Sequence, residues 1–74
     1  MTIFETASGS KYELDTLNKR VRRIEGTHRQ DSDGLWQRFR ECTTPKLGDV
    51  MFFFWHKSSP APMTRTTAVV NIND

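Results

Sequence analysis

The sequence predicts an all-β protein: a small antiparallel barrel or sandwich of five or six strands, of SH3-like or OB-like size. Three observations predict it. Apolar residues fall in short runs, and turn-forming residues bound nearly every run. The chain has 74 residues, the length of one domain over 1–74. Only 35% of it is hydrophobic, yet five Phe, two Trp and one Tyr fill a small core and set the chain apart from disordered sequences.

The opening reads Thr2-Ile3-Phe4-Glu5-Thr6, a turn at Ala7-Ser8-Gly9-Ser10, then Lys11-Tyr12-Glu13-Leu14-Asp15. Two β-favouring runs flanking a Ser-Gly turn predict a hairpin. Residues 16–25 support two readings. As a helix capped at Asp15 or Thr16 and stopped by Gly26, the segment aligns Leu17, Val21 and Ile24 in one stripe and makes the protein α+β. As a strand from Arg20 to Glu25 after a turn at Thr16 to Asn18, it puts Val21 and Ile24 on opposite faces unless a bulge intervenes. The close spacing of turn signals favours the strand. Gly26 to Gly34 is polar and Gly-bounded, a loop. Leu35 to Glu41 alternates as a strand, and Cys42 to Asp49 is a turn segment around Pro45 and Gly48. Val50 to Trp55 is the plainest strand, His56 to Pro62 a loop, and Met63 to Ile72 a final strand with Ala68, Val70 and Ile72 on one face.

Several classes are excluded or unsupported. The longest apolar run is Val50 to Trp55, far short of the roughly 20 residues of a membrane-spanning helix, so no membrane partner is expected. The first apolar stretch, Ile3-Phe4, is too short for a secretory leader. The single cysteine, Cys42, closes no intrachain disulfide, which suits a cytosolic domain. His28, Cys42 and His56 stand far apart, without metal-ligand spacing. The glycines form no phosphate loop, and no nucleophile–base pair or acid–base pair can be assembled. The expectation is a non-enzyme with no catalytic, cofactor-binding or metal-binding residues.

The run from Val50 to Trp55 carries the functional reading. In a strand, Val50, Phe52 and Phe54 point one way and Met51, Phe53 and Trp55 the other. A small barrel has one interior, so one set faces outward unless a lid covers it. The expected outward set is Met51, Phe53 and Trp55, with Trp36 and nearby arginines at the rim. A patch of this kind marks a protein interface, through which the chain self-associates as a homo-oligomer or binds another protein. The alternative is that the loop 26–34, or a helix at 16–25, folds over it.

Charge is uneven. Residues 19–40 hold Lys19, Arg20, Arg22, Arg23, Arg29, Arg38 and Arg40 against Glu25, Asp31 and Asp33, while the whole chain carries only +2. Arginines interleaved with aromatics track phosphates and stack bases in small β-barrels. Nucleic-acid binding through Arg20, Arg22, Arg23, Arg38 and Arg40 is therefore the alternative function. It competes with the plainer view of a solvated basic face.

Three stretches carry a resemblance: Thr6-Ala7-Ser8-Gly9-Ser10-Lys11-Tyr12-Glu13-Leu14 with Arg20-Val21-Arg22-Arg23-Ile24; Gly34-Leu35-Trp36; and Pro45-Lys46-Leu47-Gly48-Asp49 with Thr66-Thr67-Ala68-Val69-Val70. Together they are similar to short proteins encoded by phages and prophages of actinobacteria, a group that brings no activity and no catalytic residue. The resemblance supports a strand over 20–25. It also implies a phage accessory or host-interaction protein acting in the bacterial cytoplasm, or a minor virion component.

Overall fold

A computed structural model describes residues 1–57 and 59–73. Among them there is no helix; the elements are seven strands, β1 (Thr2–Thr6), β2 (Lys11–Asp15), β3 (Arg20–Glu25), β4 (Gln37–Arg38), β5 (Glu41–Cys42), β6 (Val50–Phe54) and β7 (Met63–Asn73). Every ladder is antiparallel, in the order β4-β3-β2-β1-β7-β6-β5. The expected all-β fold is the observed one.

The expected strand from Leu35 to Glu41 is two short strands at opposite ends of the sheet. Leu35 and Trp36 lie before β4, and Cys42, read as turn, belongs to β5. Phe39 and Arg40 join the two. The Phe39 N–H donates to the Lys19 carbonyl at 3.0 Å, on the β3 side, and the Arg40 N–H donates to the Phe54 carbonyl at 2.7 Å, on the β6 side. One bent segment thus serves both sheet ends, and the sheet curls into a half-barrel whose two end strands are only two residues long.

The hairpin β1–β2 turns at Gly9, whose φ of 89° suits glycine. The Asp15 carboxylate then accepts the Asn18 N–H, shaping the turn into β3. Leu17, in that turn, is 90% exposed; the helical stripe does not exist. β3 carries a bulge, and Val21 but not Ile24 joins the core. Lys11 pairs with Glu25 and Tyr12 with Arg23, so Ile24 is the extra residue.

β7 carries two more bulges. Its first half pairs with β6 and its second with β1, and each ladder slips by one residue on the β7 side. These slips bend the long strand around the barrel. They also break the expected Ala68/Val70/Ile72 face. Val69 is the buried residue, Val70 is 56% exposed, and Ile72 turns inward beside Phe4. At the β6 slip the Met51 N–H donates to the Thr66 hydroxyl at 2.9 Å, and that hydroxyl donates onward to the Thr67 carbonyl. A side chain replaces the missing ladder bond.

Phe4, Leu14, Val21, Phe39, Met51, Phe53 and Val69 form the core. Phe4 stacks on Tyr12, and Phe39 meets Phe53 edge-on. The strand Val50–Phe54 does present two faces, but the assignment is the reverse of the expected one. Met51 (0% exposed) and Phe53 (2%) point inward, and Trp55 stacks on Phe53 at the barrel's mouth. Val50, Phe52 and Phe54 face out, with the two phenyl rings stacked on each other. Both sets are comparably apolar, so alternation alone cannot choose between them. The register decides: Phe53 lies opposite Cys42 and Thr64, on the concave side of the curled sheet. The expected loop 56–62 joins β6 to β7, with Ser58 outside the described residues.

Phe53→Ala should cost about 3–5 kcal/mol in urea unfolding, whereas Phe52→Ala should cost no more than about 2 kcal/mol. Equal costs would contradict this assignment of faces. Thr66→Val keeps the shape but leaves the Met51 N–H without its acceptor, and should cost about 1–3 kcal/mol in the same measurement.

Candidate functional site

The five arginines of the expected basic face divide into three groups. Arg20 and Arg22 project from β3 on the outer side of the sheet, opposite Asp15 and Glu13 of β2. Arg20 Nε donates to Asp15 Oδ2 at 2.9 Å, and Arg22 Nε donates to Glu13 Oε1 at 2.7 Å. Both guanidinium groups also lie over the Trp36 ring, 4.3 and 4.6 Å from its centroid. Hydrogen bonds from the Asn18 side chain and from Arg20 hold the Asp15 carboxyl below the usual carboxylate range. This outer face is neutralised by its own acids, and Trp36 is spent on its own arginines rather than on a rim around Phe53.

Arg23 occupies the inner side of β3. Its Nη1 donates to both oxygens of Asp33, at 2.7 and 2.9 Å, and its Nη2 donates to the His28 carbonyl at 2.9 Å. Gly26 lies so close beneath the guanidinium that a Cβ there would overlap it. The Gly34 N–H, at a φ of 82°, donates to the Arg23 carbonyl at 2.8 Å. Arg23 therefore clasps the loop 26–34 and is withdrawn from any basic face. Asp33 is held below the usual carboxylate range, first by the Gln30 N–H and then by the Arg23 side chain.

Arg38 and Arg40 form the third group, and here the structure adds residues that the sequence did not mark. Lys19, Arg38, Arg40 and His56 line one shallow depression. Arg38, Trp55, His56 and Thr64 line a second, and Arg40, Trp55, His56 and Lys57 line a third. The three meet at His56, and no carboxylate lines any of them. Among the described residues, Lys19, Arg38, Arg40 and Lys57 make no ion pair. Trp55 anchors this end. One indole face rests on Phe53 at a centroid distance of 5.9 Å, and Nε1 donates to the Thr64 hydroxyl at 2.7 Å. The ring is thereby fixed with its remaining surface toward the cations.

His56 and Lys57 directly follow the aromatic strand, a placement that could have marked them. Lys19 belongs here only through the β2–β3 turn, where its φ is 51°. Behind Trp55 a cavity of about 240 Å³ opens into the barrel's mouth, between Tyr12 and Phe53 and under the loop 26–34. Cys42 faces the core, and burial pushes its thiol pKa up, away from the reactive thiolate. Among the described residues no group of three or more His, Cys, Asp or Glu could hold a metal ion. No protein-family model, no curated protein and no solved structure matches the chain.

Asp33 yields a pH prediction. Its folded-state pKa lies below the unfolded value of about 3.9, so its stabilising contribution is complete above that value and fades as pH falls through the folded pKa. Asp33→Asn should be less stable than the parent at neutral pH, and the gap in melting temperature should narrow below about pH 4. A gap that widens in acid would refute the clasp.

Proposed function

We propose that the protein is a non-enzymatic small β-barrel that binds single-stranded nucleic acid at its Trp55 end. The observation that carries this reading is the convergence of Lys19, Arg38, Arg40 and Lys57 about His56, none ion-paired among the described residues, with Arg38, Arg40 and Lys57 beside an aromatic ring already locked in place. Cations without internal partners are free to neutralise phosphates, and a fixed indole stacks an unpaired base at little entropic cost. A duplex keeps its bases stacked inside, so the single strand fits better. The arginines that do the work are Arg38 and Arg40, not the neutralised Arg20 and Arg22 or the clasped Arg23. As the resemblance to phage and prophage proteins implies, this binding belongs to the cytoplasm of a bacterial host or to a virion.

A second reading keeps the protein–protein contact but moves it to the other side of β6. Val50 and Met63 are 36% and 45% exposed beside the stacked Phe52–Phe54 pair, and a second copy of the chain would cover this outer face. So small a core gains from such cover. Sedimentation velocity over a range of concentrations tests it: the parent should associate and Phe54→Ser should not.

For the nucleic-acid reading, fluorescence anisotropy with a labelled oligothymidylate should show affinity falling with salt. Neutralising about four phosphates gives a log–log slope of about −3. Arg40→Ala should weaken binding and bring that slope about 0.7 closer to zero. Absence of binding at low salt, or a slope indifferent to Arg40, would overturn the reading.

A further inference from the structure

We propose that the cavity behind Trp55 receives one nucleobase of the strand held by the basic end, an inference that rests on the nucleic-acid reading above. The cavity, about 240 Å³, lies just under the roughly 300–1,000 Å³ of pockets for drug-sized ligands, a size suited to a single planar ring. Aromatic rings form part of its wall, beside Val21 and Leu35. Tyr12 is fixed by stacking on Phe4, Phe53 forms the floor, and Trp55 stands at the entrance, stacked on Phe53.

Polar groups reach the same space from two sides. Gln37 projects from β4, and Gln30 and Ser32 come from the loop that Arg23 clasps. The side chains of these three make no hydrogen bond among the described residues. Each amide offers one acceptor and two donors, the combination that reads the edge of a base. The cavity is also continuous with the basic end. Gln37, Trp55 and Thr64 line both the cavity and the depression that holds Arg38 and His56. A strand whose phosphate sits at Arg38 therefore passes the entrance. Arg22 and Arg23 also line the cavity, but their guanidinium groups are paired with Glu13 and Asp33, and Thr64 and Thr66 already use their hydroxyls on Trp55 and Met51, so base contacts fall to Gln30, Ser32 and Gln37.

The test compares two ligands of about eight nucleotides, within the usual site size of a small barrel: an oligonucleotide, and the same phosphodiester backbone without bases. Anisotropy at low salt should show the base-bearing strand binding about tenfold tighter or more, the value of one or two stacked bases. Gln37→Leu and Gln30→Leu, both exposed changes that leave the core alone, should each weaken the base-bearing strand several-fold and leave the abasic one unchanged. Equal affinity for the two ligands would overturn the base site while leaving the phosphate-binding end standing. A base preference untouched by either glutamine variant would also overturn it, and would assign stacking to the outer surface of Trp55 alone. If neither ligand binds, the basic end fails and the base site fails with it.

Discussion

Between Arg38 and Glu41 the chain leaves one end of the sheet and joins the other, and two backbone N–H groups make the crossing. Phe39 bonds to Lys19 on one side and Arg40 bonds to Phe54 on the other, while the Phe39 ring drops between them onto Phe53. Sheet ends that stay apart would present unpaired edges and an open core, which so short a chain could not cover. The joint therefore sets which surface of every strand is interior. It also brings Lys19, Arg38 and Arg40, carried by different elements, to one end of the barrel.

Curling the sheet demands curvature, and β7 supplies it through two bulges of its own, one against each partner. At each bulge the ladder loses a regular bond that something else must replace. At the β6 bulge Thr66 replaces one with its hydroxyl. The bulge in β3 has a different consequence. Its extra residue, Ile24, moves Glu25 into pairing with Lys11, while regular alternation from Val21 already leaves Arg23 level with Tyr12 on the inner face, where the guanidinium meets Asp33.

The electrostatics follow from the same geometry. Outward residues of β2 and β3 alternate in sign across the ladder, so Glu13 and Asp15 neutralise Arg22 and Arg20 at short range. The basic surplus of the middle third is thus removed from the face where the sequence concentrates it. It reappears at the barrel's end, where cations from the β2–β3 turn, the β4–β5 joint and the stretch after β6 meet without acids between them.

Much of this fold was legible in the residues. The Ser-Gly hairpin, the strand over Arg20–Glu25, and the strands at Val50 and Met63 all follow from spacing and turn chemistry, which act over a few residues. Other features depended on partners distant in the chain. Whether Phe53 or Phe52 faces inward turns on ladders with Cys42 and Thr64, and the split of 35–41 into two strands turns on the distance between sheet ends. Local pattern determined that the aromatic strand has two unlike fates for its faces. Only the curling of the sheet decided which face went inside and which cations stayed free, because inward and outward have no meaning until strands distant in the chain are paired.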